Sequence, residues 1–325
     1  VTSNWRRIQL QNFTSWEKLA RYWNFPEEIQ EKLLKKSSFP LNLPLRLAEK
    51  AEKGRLNDPI VKQFLPSLEE LKPHPNFVLD PVQDAIFRKQ NTRLLQKYKG
   101  RALLITTSAC AMHCRYCFRK NFDYEAQNKD FSKELESIAQ DDSLKEIILS
   151  GGDPLSLSDE VLQKLLSSID SIPHIKRIRF HTRFPLGIPE RIDESFLSLL
   201  ASITKQIIFV IHVNHPKELD SDIYRAMKSI QKLGIPVLSQ SVLLQGVNDS
   251  VPVLKELFEN LSDHGILPYY LHKLDPVQGS AHFDVFEEEG KALMKELSTC
   301  LSGYALPKFA KEEPKKTSKT LISFF

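Results

Sequence analysis

Cys110-Ala111-Met112-His113-Cys114-Arg115-Tyr116-Cys117 decides how the rest of this chain is read. It holds three of the four cysteines, spaced C-x3-C-x2-C. Thiolates are soft, strongly donating ligands, suited to iron–sulfur clusters or zinc. A tetrahedral structural zinc site takes four protein ligands, commonly as two C-x2-C-like pairs. A 4Fe–4S cubane held by three cysteines keeps one iron without a protein ligand, open to a substrate or cofactor. Two plainer readings stand beside this one. The thiols are three reduced structural cysteines, or they form a Cys3His zinc site with His113.

Working outward, Leu103-Leu104-Ile105-Thr106 is an apolar run that ends just before the cysteines. From Arg101 onward such runs alternate with amphipathic stretches at intervals of roughly thirty residues, the size of a βα unit. The pattern predicts strands over residues 102–106, 146–149, 177–181, 207–212, 236–243 and 268–272. Between them it predicts helices over 133–140, 159–168, 190–202, 221–233 and 251–264. Repeated strand-then-helix units imply an α/β fold with a parallel sheet and right-handed crossovers. An open sheet and a partial barrel both satisfy this, and both place their sites at the carboxyl ends of the strands. The cysteine loop leaves the carboxyl end of the first predicted strand.

The first hundred residues read as short helices broken by prolines. Ser15 caps one helix running to about Trp23, Pro26-Glu27-Glu28 opens a second with Ile29, Leu33 and Leu34 on its apolar face, and residues 45–51 form a third. Pro66, Pro73 and Pro75 punctuate a loop-rich passage. No chemistry there outweighs packing, and the segment reads as a wrapping or substrate-recruiting element. After Tyr304, Lys308, Lys311, Lys315, Lys316 and Lys319 mix with Glu312, Glu313 and Pro314. Composition alone makes this a solvated, flexible terminus. The expected division is 1–95 helical, 96–283 core and 284–325 C-terminal helix and tail.

With 41% hydrophobic and 26% charged residues, the composition is that of an ordinary globular protein. No uninterrupted apolar run is long enough for a membrane span. Val1 to Arg7 lack an apolar signal core, and the few cysteines fit a reducing compartment, so a cytoplasmic setting is expected. A formal net charge of +4 neither requires nor excludes a nucleic acid, and none is expected as a direct partner.

The cysteine spacing, with Arg115 after the second cysteine, resembles the radical S-adenosylmethionine (SAM) superfamily. Within it the chain is similar to the lysine 2,3-aminomutases. The likeness is carried by Lys97-Tyr98-x2-Arg101, by Ser150-Gly151-Gly152-Asp153-Pro154-Leu155 and by Arg183-x-Pro185-x3-Pro189-x-Arg191. It continues in Gln240-Ser241-Val242-Leu243-Leu244-x-Gly246-Val247-Asn248-Asp249 and Ser302-Gly303-Tyr304, and covers roughly residue 80 to the C-terminus. It is nearest to the bacterial branch that acts on elongation factor P.

The resemblance implies a partial (β/α)6 barrel with a helical N-terminal extension and a tail bearing pyridoxal 5′-phosphate (PLP). It implies that Cys110, Cys114 and Cys117 hold a 4Fe–4S cluster whose open iron chelates SAM. Asp153, His212 and Gln240 would line SAM, with the two glycines before Asp153 admitting close backbone approach. PLP would be carried on Lys319, in Thr317-Ser318-Lys319-Thr320. The family's usual glycine-rich run before this lysine is replaced by Lys315-Lys316-Thr317, which makes Lys315 and Lys316 competitors. Schiff-base formation needs a neutral amine, so burial or a nearby cation is expected at Lys319. Lys97 and Tyr98 match positions near the PLP ring and phosphate, and Arg183 would add a phosphate contact.

For the substrate, Arg119 matches the arginine that clamps a carboxylate, and a guanidinium supplies the two-pronged fork that group needs. Asp275 and Glu312 match the two carboxylates that hold a lysine ε-ammonium. Two acids favour lysine over glutamate as substrate. The implied activity is conversion of L-lysine to β-lysine by 2,3-amino migration. β-Lysine would pass to the elongation factor P pathway, and an electron donor such as flavodoxin would supply reducing equivalents. Cys300 stands alone on a predicted helix as a small core residue, and no zinc is expected there.

Overall fold

The structure, a computed structural model, describes residues 3–124, 129–314 and 316–324. One nine-stranded sheet organises it. In chain order the strands are β1 (Leu94–Leu95), β2 (Arg101–Thr107), β3 (Glu146–Gly151), β4 (Arg177–Thr182) and β5 (Gln206–His212). They continue as β6 (Val237–Val242), β7 (Leu267–His272), β8 (Lys308–Lys311) and β9 (Thr320–Leu321). Each strand pairs with the next, so spatial order equals sequence order. From β2 to β8 every pairing is parallel. The six predicted strands are β2 to β7.

The sheet is mixed rather than purely parallel, because β1 and β9 pair antiparallel at its two edges. β1 is too short to announce itself by periodicity, and it reaches β2 through a turn closed by Gly100 at φ +76°.

Helices Ser132–Ala139, Asp159–Asp170, Glu194–Ala201, Ser221–Gln231 and Val251–Asp263 connect β2 through β7. Each buries one apolar stripe. In Asp159–Asp170 the stripe is Leu162, Leu165, Leu166 and Ile169, at helical spacing. The helix expected over 190–202 begins late. Pro189–Arg191 forms a separate 3-10 turn, and the Asp193 side chain then caps the helix by accepting from the Phe196 N–H.

On the C-terminal side the tail joins the sheet as β8 and β9, and is not the solvated terminus that composition alone suggests. Phe309, Ala310 and Ile322 are buried, and the Ile322 N–H donates to the Phe309 carbonyl at 2.9 Å. The lysines dominate the composition there, but these apolar residues decide the fold. Cys300 is exposed, not packed in the core. It is the last residue of helix Glu287–Cys300, whose buried face is Gly290, Met294 and Leu297.

The N-terminal region forms short helices, including Trp16–Tyr22 capped by Ser15 and Leu45–Lys50. Trp5, Trp23, Phe25 and Phe64 are buried, Trp5 against Phe184 with ring centroids 5.5 Å apart. Arg46 ties the N-terminal region to loops between the strands through Glu190 at 2.9 Å and Asp220 at 3.0 Å. Among the described residues no helix is long and apolar enough to cross a membrane.

Candidate active site

Side chains from β2 through β7, with the ends of β1, β8 and β9, line one cavity of about 670 Å3. Cys110, Cys114, Cys117 and Lys319 all face it, although more than two hundred positions separate the last cysteine from the lysine. The sheet is therefore curved around the cavity, and the tail folds back over its mouth.

The cysteine loop is held by its neighbours on every side. The Thr106 hydroxyl donates to the Ser150 carbonyl at 2.8 Å, and the N–H groups of Gly152 and Asp153 donate to Thr107 and Ala109 carbonyls at 2.7 Å. This explains the paired glycines. A Cβ on Gly152 would lie 2.3 Å from the Ala109 oxygen, and Gly151 takes φ +120°. They admit the backbone of the cysteine loop. From the N-terminal region, Asn42 donates to the Cys110 carbonyl at 3.1 Å. Arg115 is fully buried and grips Glu70 through Nε at 2.8 Å and Nη2 at 2.6 Å.

The three thiols suit a cationic cluster. All are free, and burial together with the neighbouring thiolates pushes Cys117 up to about 11 and Cys110 well above its ordinary value. A metal that takes thiolate would remove that penalty. His113 does not join them. Its Nδ1 lies 2.9 Å from the Pro40 carbonyl, and its ring stacks on Phe39. Among the described residues no three His, Cys, Asp or Glu side chains converge on a single ion.

At the other end, Glu312 gathers three donors. Lys97 Nζ reaches it at 2.5 Å, Lys319 Nζ at 2.9 Å, and the Tyr98 hydroxyl also donates to it. Lys97 further donates to the Glu313 carbonyl at 2.7 Å. Lys319 lies 5.7 Å from the Tyr270 ring centroid. Its hydrogen-bond partner is a carboxylate, and the Lys97 ammonium bound to that same carboxylate is a cation beside it. Arg101 also lines this end and, among the described residues, forms no ion pair. An unpaired guanidinium beside a lysine amine and an aromatic ring fits a phosphorylated aromatic aldehyde. Lys316 is exposed, and Lys315 lies outside the described residues.

Between the ends stand Arg119 and Asp275. Arg119 is buried and donates from Nε to Asp84 at 2.7 Å, with Nη1 3.5 Å from the Ser150 hydroxyl. Arg119 also lines the cavity. Asp275 lines the same space, and among the described residues no donor reaches its carboxylate. Burial raises it to about 7, against the lowering pull of Lys319. His212 and Gln240 meet at 2.7 Å, and burial with nearby cations holds His212 neutral, down to about 3.

Asp153 and Arg183 also line the cavity, and both are engaged by protein groups. Asp153 is buried with its carboxylate already accepting from the Thr182 hydroxyl and from the N–H groups of Leu155, Arg183 and Phe184. It shapes the turn after β3, and burial raises it to about 6. Arg183 does not stand with Lys97 and Lys319. It donates to Cys114 Sγ at 2.8 Å and to Glu218 at 2.6 Å, at the cysteine end. Sequence reasoning also passed over Gln63, Asp84, His181, Glu218 and His272. Their signal is spatial. Gln63, for example, is 120 positions from its partner Arg183.

A parallel βα sheet with a three-cysteine loop at the carboxyl end of its first parallel strand defines a radical SAM protein. The model of the Radical SAM superfamily matches residues 104–258. The chain is 42% identical to the L-lysine 2,3-aminomutase of Escherichia coli (strain K12) over 311 residues, covering 93% of this chain and 90% of that one. It is 38% identical to the L-lysine 2,3-aminomutase of Haemophilus influenzae over 326 residues, covering 98% and 96%. The protein of that name from Clostridium subterminale is 32% identical over 270 residues, covering 82% and 64%. The chain belongs to the L-lysine 2,3-aminomutase family of the radical SAM superfamily.

Proposed function

We propose that the chain converts L-lysine to β-lysine by a radical SAM- and PLP-dependent 2,3-amino migration. The observation that carries this is the joining of three thiols and the Lys319 amine in one cavity, with Arg119 and the unpartnered Asp275 between them. In this reading the curved sheet is a partial (β/α)6 barrel. Residues 1–95 wrap its cysteine side, 96–283 form its core, and 284–325 bring the PLP-bearing tail.

Cys110, Cys114 and Cys117 would hold a 4Fe–4S cluster, His212 and Gln240 would bind SAM, and Lys319 would carry PLP with Lys97, Tyr98 and Arg101 at hand. Bound there, these groups supply the one-electron chemistry and the electron-delocalising ring that a nitrogen shift requires. The protein's own part is placement. The Arg119 fork takes the lysine carboxylate in two parallel hydrogen bonds. Asp275 takes the ε-ammonium, with a charge a glutamate side chain would meet with repulsion. Glu312, which accepts from Lys97, Tyr98 and Lys319, would be the second carboxylate offered to the ammonium. Fixing both ends of lysine sets its β-carbon against the reacting group, where positioning governs rate. Neutral His212 keeps a titrating proton away from the centre of the cavity.

The resemblance to the branch acting on elongation factor P supports delivery of β-lysine to that pathway in the cytoplasm, with reduction by a flavodoxin-like donor. The activity is tested by assembling the chain without oxygen in the presence of iron, sulfide, SAM, PLP and dithionite, then adding L-lysine. β-Lysine is expected. Intact lysine after confirmed SAM cleavage would refute the substrate.

A further inference from the structure

We infer that Gln63 and Glu218 are positioning residues that hold the Arg183 guanidinium against the Cys114 sulfur, and thereby set the reduction potential of the bound cluster. The inference rests on the cluster-binding reading of the three cysteines.

Arg183 directly follows β4, at the carboxyl end of the sheet. One arm, Nη1, donates to Cys114 Sγ at 2.8 Å and to the Tyr116 hydroxyl. The other, Nη2, donates to Gln63 Oε1 at 2.7 Å and to Glu218 Oε2 at 2.6 Å. The holders are themselves fixed. Gln63 Nε2 donates to Glu218 Oε1 at 3.1 Å, and that oxygen also accepts from the N–H groups of Asn214 and His215 at 3.0 Å. Gln63 and Glu218 are wholly buried, and Arg183 is 7% exposed. Gln63 comes from helix Pro59–Phe64 of the N-terminal region, and Glu218 from the 3-10 turn after β5. Two separate parts of the chain thus clamp one arm of a buried cation, and the free arm is spent on a cysteine sulfur. Among the described residues, no side-chain cation donates to the sulfur of Cys110 or Cys117.

Reduction adds negative charge to a cluster. Hydrogen bonds to its sulfurs and a nearby cation stabilise the reduced form and raise the potential. Glu218 is the opposing charge in the same buried network. Removing the Arg183 charge should therefore lower the potential, and removing the Glu218 charge should raise it. Loss of the Gln63 amide lets the guanidinium settle on Glu218 and away from the sulfur, which lowers it by less. A role confined to packing has no reason to give shifts of opposite sign.

The test is a redox titration, monitored by electron paramagnetic resonance, of the full chain reconstituted with iron and sulfide. Relative to wild type, Glu218→Gln is expected at higher potential, Arg183→Met at lower, and Gln63→Met between Arg183→Met and wild type. Equal potentials, or shifts all of one sign, would overturn the inference. The reduced wild type should also show hyperfine coupling from an exchangeable proton that is lost in heavy water. Absence of that coupling overturns the inference even if every variant fails to assemble. A wild type that takes up no iron and sulfide defeats the cluster reading itself, whereas a loaded cluster with unmoved potentials defeats this inference alone.

Discussion

At the cysteine end of the cavity Arg115 is wholly buried and bound to Glu70, while at the amine end Lys319 is 28% exposed and bound to the single carboxylate of Glu312. The cysteine end draws on partners from the N-terminal helices, from β3 and β4, and from the turn after β5. The amine end is the short strand β8, the edge strand β9 and the loop between them. The first cannot shift without dismantling buried hydrogen bonds, each costly to leave unmade. The second can exchange partners locally, as loading a cofactor onto an amine requires. A radical site needs both properties: a fixed electron entry and a substrate end that opens.

Loss at the fixed end should be the most severe. Cys114→Ala is expected to abolish cluster assembly and all turnover, read as iron content and β-lysine formed. At the mobile end, Lys319→Ala should cost on the order of 10^4-fold in turnover or more, as removing a covalent-catalysis group does. Lys316→Ala, exposed beside it, should stay within about twofold of wild type, the scale of an ordinary surface change. Equal losses at the two lysines would break the assignment of the attachment point. Between the ends, Asp275→Asn should raise the KM for lysine roughly 30- to 1,000-fold, from about 2–4 kcal/mol for a desolvated charge pair.

The smallest effect is on pH. Burial raises Asp275 to about 7 in the free site, and an arriving ammonium favours its ionised form. Below about pH 7 the free carboxyl is protonated and binding must expel that proton, so lysine affinity should fall by up to about tenfold per pH unit. Above pH 7 this dependence should vanish, and in Asp275→Asn it should be absent throughout. A competition assay across pH reads both.

The contrast also separates what was legible in the sequence from what was not. Six of the seven parallel strands were readable because each alternates with an amphipathic helix, and the cysteine loop because its spacing is local. β8 and β9 were hidden, because lysines mask the few apolar residues that pin them. The contacts of Arg183 were hidden for a related reason. Its role depends on Gln63 and Glu218, which no local pattern connects to it. Asp153 was recognised as important, but its hydrogen bonds go to its own turn and to the start of the next loop. Local motifs identify the chemistry, and only the fold tells which side chains are already spent.

The account depends on both ends of the cavity acting on one lysine molecule. Anaerobically assembled enzyme should be given L-lysine carrying deuterium at the β-carbon, with SAM and PLP, and the label followed by mass spectrometry. Deuterium is predicted in both 5′-deoxyadenosine and β-lysine. SAM cleavage that leaves all the label in unrearranged lysine would contradict it.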